Sequence, residues 1–142
     1  MSTQFFPLAS AAKQAGLLRT FMANSTIRLF KSSFVPSVSN VLADYNAAQC
    51  DFDSYAAITM ATWLPAILSP GSGYMVGSPL VQFEFPSGGA GVGNLVGGCY
   101  VLDAAGALAL TVIFTQPIPM QLPGQGIPIN LLWFFSTGLT TG

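Results

Sequence analysis

The closest the sequence comes to a reacting pair is Asp51 and Asp53, which flank Phe52. Two carboxylates at that spacing can share acid–base work or begin a cation site. Calcium needs six or more oxygens, and no third acid stands nearby in sequence, so a solvated loop accounts for these residues equally well. The chain has no histidine. That removes the Ser-His-Asp and Cys-His arrangements and every imidazole metal ligand. Cys50 and Cys99 read as two free, buried, small hydrophobes, because nothing else points to an oxidising compartment. The run Gly88-Gly89-Ala90-Gly91-Val92-Gly93 has the glycine density of a phosphate loop. It lacks the Lys-Ser/Thr ending and a following helix whose N-terminus would meet the anion, so it reads as a flexible connector. Trp63, Tyr74, Tyr100 and Trp133 could stack on sugars or bases, but core packing or a subunit interface is the default for aromatics. No catalytic, cofactor-binding or metal-ligating residue is therefore expected.

The elements that would position these residues are mostly strands. Ser10–Ala23 reads as a helix stopped by Asn24-Ser25, after a loose arm in which Phe5 and Phe6 are candidate anchors. Thr26–Lys31 reads as a strand, and Val41–Ala48 as one helical turn with Asn40 as N-cap. Tyr55–Leu64 reads as a long strand and Pro65–Ser78 as a Gly/Ser/Pro loop. Leu80–Phe85 alternates apolar and polar, as a half-buried strand must. Val96–Leu102 and Ala107–Thr115 flank Asp103-Ala104-Ala105-Gly106, a hairpin turn in which Asp103 supplies the side-chain acceptor and Gly106 the left-handed position. Gln116–Gly126 reads as a Pro-rich loop. Ile127–Phe135 reads as a last strand, apolar on both faces, which must be covered on both sides. The fold class that follows is mainly β: an antiparallel β-sandwich or jelly-roll-like barrel of about six strands with a short N-terminal helix. Residues 1–25 form the arm and helix, and 26–142 the sandwich domain.

Composition sets the surface. Hydrophobic residues are 51% of the chain and charged residues 6%, against about 25% charged in a typical soluble domain. Ser, Thr, Asn and Gln number 35, so the polar surface is built mainly from neutral groups. The four cations Lys13, Arg19, Arg28 and Lys31 are too few for a nucleic-acid footprint. A membrane span is not expected either. The longest charge-free stretch, Ala104–Gly142, is broken by Pro117, Pro119, Pro123 and Pro128, so no apolar run reaches about 20 residues. The first residues do not read as a secretory signal, because no basic segment precedes Phe5 and Lys13 falls where the apolar run should continue. A surface this short of charge is expected to be covered by partners.

One resemblance is carried by the order of several elements. A helix with Ala15-Gly16-Leu17-Leu18 is followed by a strand ending Arg28-Leu29-Phe30 and a loop with Pro36. Next come Val41-Leu42-Ala43-Asp44-Tyr45, Ser54-Tyr55-Ala56-Ala57 and Trp63, and last Gly98-Cys99-Tyr100-Val101-Leu102-Asp103-Ala104-Ala105-Gly106-Ala107-Leu108. Over roughly residues 15–115 this order resembles a family of small virion structural proteins of tailed bacteriophages and prophages. The family pattern carries acids where Asn46-Ala47-Ala48-Gln49 stands here and charges where Thr111-Val112-Ile113-Phe114 stands, so this chain looks like a more buried version. The resemblance implies a capsid cement or decoration protein that binds the outer capsid. Its localisation would be the virion, assembled in the host cytoplasm. Its partners would be the phage major capsid protein and further copies of itself in a homotrimer. A tail, neck or baseplate component, or a host-recognition or carbohydrate-binding module, is the alternative. Interface residues are expected at Phe5, Phe6, Leu17, Leu18, Phe21, Trp133, Phe134 and Phe135, with the N-terminal 25 residues docking on a neighbouring subunit or capsid protein instead of forming part of the sandwich core.

Overall fold

The computed structural model describes residues 3–4, 8–69, 73–89, 91–136 and 140–141. The expected anchors Phe5 and Phe6 lie outside these residues. The fold is mainly β and antiparallel with one N-terminal helix, as the sequence indicates. Among the described residues there are eleven strands where about six were expected, and no sheet closes into a barrel. The chain divides into two compact units, one of residues 1–23, 60–80 and 130–142, the other of residues 24–59 and 81–129. The break expected at residue 25 falls beside the 23/24 boundary, but 60–80 and 130–142 group with the helix.

The second unit carries the hairpin. Strand β2 (Ser25–Lys31) pairs with β7 (Asn94–Leu102), which pairs with β8 (Leu108–Met120), and β3 (Ile58–Met60) flanks β2. Ile27, Leu29, Cys99 and Val101 are fully buried on one face of this sheet. On the other face Phe30, Tyr100 and Leu102 gather around Tyr45 of α2 (Leu42–Ala47), with ring centroids 5.2–6.2 Å apart. Asn40 is not the N-cap of this turn. Val41 takes that place, and the Asp44 carboxylate accepts the Val41 N–H at 2.9 Å and an Asn40 amide N–H at 3.2 Å. The pair β6 (Val81–Glu84) and β9 (Gly126–Ile129) makes a second layer. Phe83 stacks on Tyr55 at 6.0 Å, and the Tyr55 hydroxyl accepts the Leu29 N–H at 3.1 Å, which gives this unit its sandwich-like character.

Strand β8 runs through the expected Pro-rich loop as far as Met120, because an edge strand tolerates Pro117 and Pro119. The long strand expected at Tyr55–Leu64 shrinks to β3, the stretch that pairs with β2.

The first unit holds α1 (Leu8–Phe21), β4 (Ile67–Ser69), β5 (Gly73–Gly77) and β10 (Leu132–Ser136), with β1 (Thr3–Gln4) paired to β11 (Thr140–Thr141). The sheet order is β10-β5-β4. The sequence reads 65–78 as loop, yet it supplies two strands. The expected strand Ile127–Phe135 is two strands in two sheets, split at Asn130 and Leu131. Ser78 pins the split: its N–H donates to the Leu131 carbonyl and its hydroxyl accepts the Leu131 N–H, both at 2.8 Å.

Helix α1 shows small residues to this sheet. Ala11, Ala15 and, just beyond the helix, Met22 are fully buried at i, i+4 and i+11, so the backbone comes close to β5 and β10. Asn24, with φ of 58°, turns the chain after it. The small-residue face of the helix is thus part of the first unit's core, where the expectation kept the N-terminal 25 residues out of the core of the 26–142 domain.

Candidate interaction surface

The residues that could do chemistry are dispersed into structural tasks. Asp51 accepts an Asn94 amide N–H at 2.9 Å and meets the Lys31 ammonium at 3.2 Å. These contacts, the Asn94 amide first, hold its carboxyl below the usual range. Asp53 turns instead to the glycine run. Its N–H donates to the Val92 carbonyl, and a Cβ on Gly89 would stand 2.9 Å from its Oδ2. The glycines therefore let the chain wrap closely around a carboxylate, which is the opposite of an anion cradle. Among the described residues no three His, Cys, Asp or Glu side chains gather into a metal-binding group. Cys50 and Cys99 are free and buried, and burial pushes both thiols up to about 12. Trp63 and Tyr100 are fully buried, so they cannot present a stacking face.

The Asp103 turn forms as read. One carboxylate oxygen accepts the N–H groups of Ala105 and Ala107, both at 2.9 Å, and Gly106 takes a φ of +86°.

What the sequence's site residues build together is an apolar surface on the first unit. With the small residues of α1 turned inward, its large ones face out. Gln14, Leu17, Leu18 and Phe21 form one stripe at i, i+3, i+4 and i+7. Leu17 is 62% exposed and Phe21 54%. Trp133 and Phe135 of β10 point to the same side as this stripe, and the six residues line a groove of about 440 Å³. Strand alternation sends Leu132 and Phe134 to the opposite face. There Leu132 is 64% exposed and Phe134 46%. The Cβ that Gly77 lacks would meet Leu132 at 3.3 Å and Leu64 at 3.8 Å, so Leu64 joins this face, and Ile67 joins it through its pairing with Met75. Reading 65–78 as loop hid Ile67; only strand pairing gives it a face.

This surface is almost without charge. The first unit contains two charged residues, Lys13 and Arg19, and the Arg19 Nε donates to the Trp63 carbonyl at 2.8 Å. All five acids lie in the second unit. Of the eight expected interface residues, the described structure puts Leu17, Leu18, Phe21, Trp133 and Phe135 in the groove and Phe134 on the reverse face.

Comparison with protein-family models, curated proteins and solved structures gives no match. The resemblance to phage virion proteins therefore rests on the order of residues in the chain itself. No helix among the described residues is long and apolar enough to cross a membrane.

Proposed function

We propose that the chain is a structural virion protein, a capsid cement or decoration protein that clamps neighbouring capsid subunits through the apolar surface of its first unit. The observation that carries this reading is the double-sided exposure around β10: a groove of Leu17, Leu18, Phe21, Trp133 and Phe135 on one face, Leu132 and Phe134 on the other. A strand apolar on both sides and half-open on both sides offers one face to a second copy and one to the shell. Its partners are further copies in a homotrimer and the phage major capsid protein, and its place is the virion capsid, assembled in the host cytoplasm. The mechanism is burial. Removing about 1,000 Å² of apolar area from water contributes on the order of 25 kcal/mol gross, before association costs. A shell repeats the contact many times, so a modest affinity per site accumulates.

Quantitative mass spectrometry of purified particles tests this. Hundreds of copies per particle is the result expected of cement, while a dozen or so assigns the chain to the tail or neck and overturns it. The variant Leu132→Asp/Phe134→Asp should keep its β-sheet circular dichroism and lose incorporation. Glycan binding by the isolated chain, with no incorporation, would favour a host-recognition module.

A further inference from the structure

We infer that strand β8 is a second, independent contact: two copies of this chain join edge to edge through β8, about a two-fold axis at Thr111. In the four-stranded sheet β8 is terminal, and no described strand pairs with its outer edge. Free edges are normally blunted by lysine, proline or a bulge. Here Pro117 and Pro119 guard the far half of the strand, breaks in register against β7 stand at Ala109 and after Ile113, and no charged residue occurs anywhere after Asp103, so the open, regular edge is Leu110–Ile113. The near half holds its register to β7 from Leu110, opposite Val101, to Ile113, opposite Gly98.

Three observations choose a second copy as the occupant. First, the sheet has one long edge. Its other edge is β3, three residues long, so copies adding edge to edge must use β8 twice. Antiparallel pairing of β8 with itself is isologous and closed, because it consumes the edge on both copies. Second, the strand is self-complementary. With Thr111 facing Thr111, Leu110 meets Val112 within the regular run Leu110–Ile113, and no like charges are brought together. Third, a receptor for the incoming side chain already exists. Pro36, Val38, Tyr45, Leu108, Thr111 and Ile113, with Ser37 and Asn40, line a mainly apolar pocket of about 360 Å³ beside this edge. Ile113 is 60% exposed, and on pairing it lies on the face of the sheet where the other copy's pocket opens. Main-chain bonds supply the attachment and the pocket sets the register, as in other strand additions. The Tyr45 hydroxyl accepts the Thr111 hydroxyl at 2.9 Å, which holds the pocket wall in place.

The test uses the full chain. Thr111→Cys, treated with copper phenanthroline, should give a band of twice the chain mass on a non-reducing denaturing gel. Thr115→Cys, which faces residue 107 in this register, should not. The native thiols are buried and stay out of the reaction. Ile113→Lys should halve the sedimenting mass, raising the dissociation constant roughly tenfold or more because a charge would enter an apolar pocket. If Ile113→Lys loses its circular dichroism, the cysteine pair decides. A Thr111→Cys chain that does not cross-link, or a folded Ile113→Lys chain of unchanged mass, overturns the inference. A folded Ile113→Lys chain that keeps its mass but no longer binds particles gives the edge to a foreign strand and also overturns it. None of these measurements reads the copy number per particle, so the virion reading stands or falls separately.

Discussion

Asn94 and Asp51 hold each other twice. The Asn94 Oδ1 accepts the Asp51 backbone N–H at 2.7 Å, and the Asn94 Nδ2 donates to the Asp51 carboxylate at 2.9 Å. Asn94 opens β7, and Asp51 follows Cys50, whose N–H donates to the Leu29 carbonyl of β2. One nearly buried amide thus ties the segment after α2 to the start of the central strand.

Asn94→Ala should destabilise the chain by about 1–3 kcal/mol, since it leaves a backbone N–H without its partner. Urea unfolding at neutral pH measures this. The Asp51 carboxyl sits below its ordinary value of 3.8 in the folded chain. Its share of the stability is therefore fully present above that value and is lost as the pH falls through the lower folded value. The gap between parent and variant should narrow in acid. A gap that widens below about pH 3 would contradict the assignment.

At the β7–β8 turn, Asp103→Asn should be nearly silent, because an amide oxygen can accept the same Ala105 and Ala107 N–H groups. Asp103→Leu should cost about 1 kcal/mol, the worth of a net hydrogen bond. Gly106→Val should cost more. A Cβ there meets nothing within 4 Å, so the penalty is entirely that of holding a β-branched residue at φ of +86°. Thermal melts of the three variants order these effects.

The two thiols should be inert in the folded chain. Ellman's reagent at about pH 8 should titrate neither Cys50 nor Cys99 until denaturant is added, and then both. Burial raises each from 9.0 to about 12, so the neutral form is favoured by folding. The corresponding stability is intact below 9.0 and declines as pH rises toward 12.

The parts of the fold legible in the sequence were those governed by local rules. The Asp-Ala-Ala-Gly turn between two alternating runs fixes its own geometry, so the hairpin follows from residues 96–115 alone. The helix and the outward stripe of Leu17, Leu18 and Phe21 follow from spacing. Pairing decided the rest. Gly73–Gly77 looks like a loop by composition and becomes a central strand because β4 and β10 bond to its two edges. Ile127–Phe135 looks like one strand by hydropathy, yet Asn130 and the Ser78 clamp on Leu131 part it. Half of the apolar surface was therefore readable, namely the helix stripe and the aromatic run. The reverse face needed the register that places Ile67 and Leu64 beside Leu132.

The chain passes between its two units at 23/24, 59/60, 80/81 and 129/130. This threading has a consequence during synthesis. Helix α1 leaves the ribosome well before β10, which completes the layer it rests on and begins 111 residues after Phe21. At about 5–20 residues per second that is a delay of roughly 6–22 s. For that interval the nascent chain carries Leu17, Leu18 and Phe21 beside an unfinished sheet, at the moment it is most prone to join the wrong neighbour. The lag falls on the same residues that line the exposed apolar groove of the finished unit, so folding and surface exposure converge on one stretch of helix.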